Sequence, residues 1–248
     1  MKQVLDNFSS GSNNYAAFRP LTPKSVIDEV VKLVPDRCLA WDCGTGNGQV
    51  AAMLSDVFEK VIGTDISQEQ LDHAELRPNL EYRLERAEHT SLGNQSVDLI
   101  TIAQAIHWFD FDHFYKEVNR VLKPGGIIAA WTYNLVHNTP ELEAVVHRLF
   151  AEITGPYWDK ERKWVDESYQ TIPFPFTEIQ IAPMTIQYEW TFDQLVGYLR
   201  TWSGVKHYMK KNGTDPLALV LPELKQAWGS ADTILHTWPL HMRVGKIA

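Results

Sequence analysis

Cysteine is nearly missing from this sequence of 248 residues: only Cys38 and Cys43 occur. Both fall in one short apolar run that reads as a strand, where a disulfide is geometrically poor. Reduced thiols and a cytoplasmic protein are therefore expected, not a disulfide scaffold. Long hydrophobic runs are missing too. No stretch approaches the roughly eighteen apolar residues of a membrane span, and Met1–Asp6 carries no apolar signal core. Positive charge is scarce and never clusters into a basic block, and the net charge is −8. A nucleic-acid substrate held by phosphate neutralisation is disfavoured on that ground. The nine histidines form no His-Glu-x-x-His pattern and join no cysteine cluster, so no metal site is expected. Internal repeats and low-complexity tracts are also absent. What remains, with 44% hydrophobic and 22% charged residues, has the composition of a globular α/β chain.

The stretch that organises the rest is Leu39-Ala40-Trp41-Asp42-Cys43-Gly44-Thr45-Gly46-Asn47-Gly48. A short apolar strand ends in an acid, three glycines follow at alternate positions, and a helix start follows them. Glycine suits such a turn because it allows positive φ and leaves no Cβ in a ligand's way. The dinucleotide fingerprint G-x-G-x-x-G is not met, because the third glycine arrives one residue early. Asp42 would repel a pyrophosphate, yet it can accept hydrogen bonds from an ammonium group. Lys60–Ile66 then reads as a second strand ending in an acid, Asp65, seventeen residues beyond Gly48. That is near the spacing at which nucleotide-binding βαβ units present a carboxylate to ribose hydroxyls.

Along the chain, a helix is expected from Thr22 or Pro23 to Pro35, and others over 49–58, 68–75 (capped by Ser67) and 112–122. Strands are expected at 80–84, 96–103 and 127–131, the last entered through a Lys123-Pro124-Gly125-Gly126 turn. Strands alternating with helices at this pitch predict a doubly wound parallel sheet. Beyond Thr132 the pattern changes. Residues 134–177 hold two helical pieces and an aromatic segment, 178–191 reads as one long strand, 192–202 as a helix, 217–228 as helical, and 233–247 as strand. Most tryptophans of this half read as core. His236 and His241 lie on the last strand and read as structural.

These residues resemble the class I S-adenosylmethionine-dependent methyltransferases, in the broad group that contains the trans-aconitate methyltransferases. The likeness rests on Phe8-Ser9 through Tyr15 to Phe18-Arg19-Pro20, on Asp42–Gly48, on Asp65-Ile66-Ser67 and on Ala87-Glu88. It continues through Ala103-Gln104-Ala105-Ile106-His107-Trp108-Phe109 and Arg120–Gly126, and in the second half through Gly155–Trp158 and Tyr198–Ser203. The resemblance implies a Rossmann-like seven-stranded sheet with an antiparallel last strand, and S-adenosylmethionine across the strand carboxyl ends. It assigns the methionine moiety to Asp42 and the loop of Gly44, Thr45, Gly46 and Gly48, and the ribose to Asp65. Ile66 and Ala87 would sandwich the adenine, Glu88 would lie near its amino group, and Gln104 and Ala105 would sit under the sulfonium. Arg86 departs from the small or acidic residue common before Ala-Glu.

One methyltransferase domain over 1–248 follows. Its core covers about 22–133, 178–191 and 232–248, its N-terminal cover 1–21, and its lid segments about 134–177 and 192–231. Tyr15 and Arg19, in a loop-like stretch with embedded aromatics, are expected at the cofactor entrance. Trp108, Tyr157, Trp158, Tyr198, Arg200 and Trp202 are expected to hold the acceptor, with Arg200 as the fork for a carboxylate. His107 is either a general base or a hydrogen-bonded part of the pocket floor. The expected reaction is direct in-line methyl transfer to a small molecule, with a carboxylic acid as one acceptor class. A non-catalytic cofactor-binding regulator with the same fold is the alternative, and an NAD-dependent oxidoreductase would need the missing glycine spacing.

Overall fold

The computed structural model describes residues 18–247. Helix α1 (Lys24–Val31) precedes β1 (Leu39–Cys43), α2 (Gln49–Ser55), β2 (Lys60–Asp65), α3 (Gln68–Asp72) and β3 (Leu80–Leu84). Strand β4 (Val97–Ala103), α4 (Phe111–Val121) and β5 (Leu122–Tyr133) complete the parallel half. The second half holds α5 (Pro140–His147), α6 (Arg162–Asp166), β6 (Thr177–Glu178), β7 (Met184–Trp190), α7 (Phe192–Arg200), α8 (Ser203–Asn212), α9 (Leu221–Trp228) and β8 (Ile234–Lys246). Tyr15 and the rest of the expected cover before Phe18 lie outside the described residues.

The sheet runs β3-β2-β1-β4-β5-β8-β6, with β7 also on β8. Strands β1 to β5 are parallel, and β8 is antiparallel to β5. Every residue of β4 but the last is buried, as a strand covered on both faces requires. Along β5 the side chains alternate between two cores. Ile127, Ala129, Trp131 and Tyr133 join one, Ile128 and Ala130 the other, which is the two-residue period of a pleated strand. Asp98 fastens the sheet centre. Its buried carboxylate accepts from the Cys38 and Leu39 amides at 3.0 and 2.9 Å and from Lys123 Nζ at 2.6 Å.

The sheet has eight strands where seven were expected. The single strand anticipated over 178–191 is split into β6 and β7, which lie along the same side of β8. Pro183, just before β7, has no N–H to donate to a ladder. The Lys123–Gly126 turn is a bulge inside β5: Leu122 pairs with Val97 and Ile127 with Leu99, so four residues loop out between two ladder positions. Ser67 does cap α3, accepting from the Gln70 amide at 3.3 Å. Trp190 and Trp228 are buried, in keeping with the core reading of most tryptophans in this half, and His236 lies in β8 against Trp190, Trp228 and Trp238. Among the described residues, no helix is long and apolar enough to cross a membrane and no acid, histidine and cysteine group could hold a metal.

Candidate active site

Strand order reverses beside β1, so the carboxyl ends of β1, β2 and β4 open onto one crevice. Asp42 stands there, 1% exposed. Its two oxygens accept from Thr45 Oγ1 at 2.5 Å and Thr101 Oγ1 at 2.7 Å. Burial pushes its pKa up to about 6 despite those hydroxyls, and the nearby Asp65 charge adds to the rise.

The loop after Asp42 turns through Gly44, Gly46 and Gly48 with φ of 69°, 56° and 80°. Its amides are used within the fold. Gly44 N and Thr45 N both donate to Thr64 O at 2.9 Å, and Gly48 N donates to Thr45 O at 3.0 Å. Gly46 N donates to Asp65 Oδ2 at 2.8 Å, while Asp65 Oδ1 accepts from Ser67 N at 2.9 Å. A phosphate cradle needs such amides facing outward. Here two carboxylates stand at the loop instead, and this set of acceptors suits a ligand with a positive end. S-adenosylmethionine, with an ammonium, a sulfonium and no phosphate, fits it. The amides of Gly44, Thr45, Gly46 and Gly48 are thus engaged within the fold, and the loop's shape and the two acids face the cleft.

A cleft of about 230 Å³ runs along this loop. Each predicted cofactor residue within the described part lines it, from Arg19 and Asp42 through Ile66, Ala87 and Glu88 to Gln104 and Ala105, with Gly48 the exception. Gly48 sits behind the loop, where a Cβ would meet the Tyr82 hydroxyl at 2.1 Å. Ile66 is 42% exposed while Ala87 is buried. Glu88 accepts from Arg86 Nε at 3.2 Å and from the Asp110 amide at 3.0 Å, so the unusual Arg86 fixes the acid beside it.

Gln104 closes the inner end with a backbone φ of 58°, a left-handed conformation uncommon outside glycine. Its Oε1 accepts from Thr132 Oγ1 at 2.8 Å, and its Nε2 is buried with no hydrogen-bond partner among the described residues. Behind it lies a second chamber of about 60 Å³, which shares Arg19, Gln104, Trp108 and Tyr133 with the cleft. Of the predicted acceptor residues, Trp108, Trp158, Tyr198 and Trp202 line it. His107 lines it too, 7% exposed, its Nδ1 paired with the Tyr169 hydroxyl at 2.7 Å. Burial pushes the Tyr169 phenol far up, so it stays protonated.

Two expected acceptor residues lie elsewhere. Tyr157 packs its ring tilted against Tyr208 and accepts from Asn212 Nδ2 at 3.0 Å, lining neither cavity. Arg200 ends α7 with its side chain 53% exposed and Nε donating to Asp215 at 3.1 Å. The buried face of α7 is Leu195, Val196, Tyr198 and Leu199, and the next residue points away from it. Arg200→Ala is therefore expected to leave cofactor affinity and acceptor kinetics unchanged and to cost no more than about 1 kcal/mol of stability, the scale of an exposed ion pair. A tenfold loss of kcat/KM in that variant would return Arg200 to the site.

Tyr133 and Arg162 line these cavities without having been singled out. Reading the fifth strand two residues further would have put Tyr133 at its carboxyl end. Nothing local marks Arg162, which α6 brings up from 29 residues further along the chain.

A model of the family described as "Methyltransferase domain" matches residues 41–130, the span from β1 into β5. A Dictyostelium discoideum protein named as a methyltransferase is 37% identical, over 97% of this chain and 95% of its own. The chain belongs to the class I S-adenosylmethionine-dependent methyltransferases. A solved chain from Anaeromyxobacter dehalogenans, described as a type II methyltransferase, superposes with a TM-score of 0.85 at 40% identity, covering 92% of this chain and 98% of its own. An uncharacterised methyltransferase of Mycobacterium tuberculosis is 35% identical over 75% of this chain and 70% of its own. The methyl donor of this methyltransferase is S-adenosylmethionine.

Proposed function

We propose that this methyltransferase acts on a small organic molecule, with a carboxylic acid as the acceptor class, and not on nucleic acid. The observation that carries the reading is the second chamber, about 60 Å³ and walled by Trp108, Trp158, Tyr198 and Trp202, joined to the cofactor cleft across Gln104. Its aromatic walls suit the apolar body of a small acceptor.

The roles expected of the site residues follow the cleft. Asp42 takes the ammonium of the methionine end, Asp65 the ribose hydroxyls, Ile66 and Ala87 the two faces of the adenine, and Glu88 its amino group. Gln104 and Ala105 lie beneath the sulfonium. When bound, the sulfonium would supply its methyl group to an acceptor oxygen, the O–C bond forming in line as the C–S bond breaks and its electron pair stays on sulfur. The chain's part is alignment and exclusion of water by the aromatic wall. A carboxylate needs no base, so His107, held by Tyr169, serves as floor. Core and lid segments together form the single domain.

The test is incubation with labelled cofactor and a panel of small carboxylic acids, thiols and phenols. Transfer only to thiols or phenols would overturn the carboxylic-acid reading. Asp65→Ala is expected to weaken cofactor binding by about 1.5–3 kcal/mol, the scale of hydrogen bonds to a charged group. Unchanged affinity by calorimetry in a folded variant would remove Asp65 from the site.

A further inference from the structure

Among the described residues, three cations face the smaller chamber from three separate segments, Arg19, Arg162 on α6 and Lys206 on α8, with Asp159 as the one acid. This concentration of positive charge occurs in a chain whose net charge is −8. The three differ in where they reach. Arg162 has its charge matched by Asp166, at 2.8 Å, and its guanidinium packs 4.8 Å from the Trp158 ring and 5.2 Å from the Phe150 ring. It is part of the wall. Arg19 lines both cavities, donates to Thr201 O at 3.3 Å and lies over the Tyr198 ring at 5.5 Å, so it stands at the junction. Lys206 lines the smaller chamber alone.

Its position is fixed by packing. Gly204, two residues earlier, lies against the Trp158 indole so closely that a Cβ would come within 2.8 Å of it. Trp202, which caps α8, is 2% exposed and packs edge-on against Phe150 and tilted against Trp158. The first turn of α8 is thus pinned to the aromatic wall, and Lys206 follows in the second turn, half-buried. Burial and the nearby Arg19 charge both hold its pKa below the usual lysine value. An ammonium in that setting gains from an anion beside it.

We propose that Lys206 is the acceptor-recognition residue of this methyltransferase, binding the carboxylate of an aromatic or unsaturated acid whose body lies between Trp108, Trp158 and Trp202, while Arg19 serves the carboxylate of the cofactor's methionine. The inference rests on the carboxylic-acid reading of the acceptor. It divides the two cations between two anions and relieves their mutual repulsion. One carboxylate oxygen pairs with Lys206 and the other forms the new O–CH₃ bond as the S–CH₃ bond breaks and its electron pair stays on sulfur. A cation and an anion become two neutral molecules with no proton transferred. The ester formed has lost the charge that Lys206 binds, so the residue that selects the acid also favours release of its product.

The experiment measures binding of benzoate, cinnamate and octanoate, each beside its methyl ester, to protein saturated with S-adenosylhomocysteine. Wild type is expected to prefer at least one acid over its ester by about tenfold or more, the scale of a charge-assisted hydrogen bond. Lys206→Gln is expected to abolish that preference and Lys206→Arg to keep most of it, with S-adenosylhomocysteine affinity and thermal unfolding near those of wild type in both. For an acid that is turned over, the loss in Lys206→Gln should fall on KM and spare kcat. An acid preference that survives Lys206→Gln overturns the role of Lys206 and leaves the carboxylic-acid reading standing. If wild type neither binds nor methylates any acid, that reading fails, and the inference fails with it.

Discussion

Replacing Gly44 with alanine is expected to destabilise the fold by about 2–5 kcal/mol, a large part of the 5–15 kcal/mol that holds a typical domain together. Two separate effects add. At φ of 69° the backbone is left-handed, which costs an L side chain about 1–2 kcal/mol. The new Cβ would also lie 2.7 Å from the Ala105 methyl and 3.4 Å from the Phe109 ring, and overpacking of that kind costs about 1–3 kcal/mol. Ala105 and Phe109 follow β4, so the clash pushes apart the two lips of the cofactor cleft, and affinity should fall with stability. Gly125 provides the control. Its φ is 77°, yet nothing lies within 4 Å of where a Cβ would stand. Gly125→Ala should therefore show the conformational cost alone. The measurement is the melting temperature of both variants, which moves about 2–4 °C per kcal/mol in a chain of this size. Equal shifts would mean that the Ala105 contact yields without cost.

How much of this could be read from the sequence depends on the range over which each feature is decided. The loop from Asp42 to Gly48 and the acid at Asp65 were legible because a strand, a turn and a helix start are fixed by neighbouring residues. The parallel half of the sheet was legible for the same reason. Pro183 was visible too, but that the segments on either side of it both pair with β8 is seen only in the pairing. The fate of the loop amides was not legible. Thr64 and Asp65, which take three of them, belong to a different strand. Arg200 is the instructive miss. The helix over 192–202 was expected, but its buried residues are Leu195, Val196, Tyr198 and Leu199, and a further step of about 100° turns Arg200 off that face. The cations that do face the smaller chamber come from α6, α8 and the segment before α1, and no local pattern joins them.

Asp42→Asn is expected to move stability and binding in opposite directions. The Asp42 carboxyl titrates near pH 6 in the fold and near 3.8 as a free side chain. A raised folded pKa contributes stability that is complete below pH 3.8 and is lost as pH rises through about 6. At pH 7 to 8 the ionised, buried Asp42 therefore costs the ligand-free protein up to about 3 kcal/mol. Asparagine removes that cost, though part of the gain is lost because Thr45 and Thr101 donate to different carboxylate oxygens, and the hydroxyl that faces the new NH₂ must turn to accept from it. The variant should melt higher than wild type at pH 8, with the difference shrinking toward pH 5. Its affinity for S-adenosylmethionine should nevertheless fall by about 1.5–3 kcal/mol, because a neutral amide no longer faces the ligand's ammonium. In wild type, protonation of the same carboxyl should weaken cofactor binding by up to roughly tenfold per pH unit below about pH 6. Thermal melts without ligand and calorimetry from pH 5 to 8 read both arms. A variant less stable than wild type at pH 8 would show that the two threonine hydrogen bonds outweigh the burial of charge. A wild-type affinity that stays level down to pH 5 would show that the Asp42 charge does not meet the cofactor.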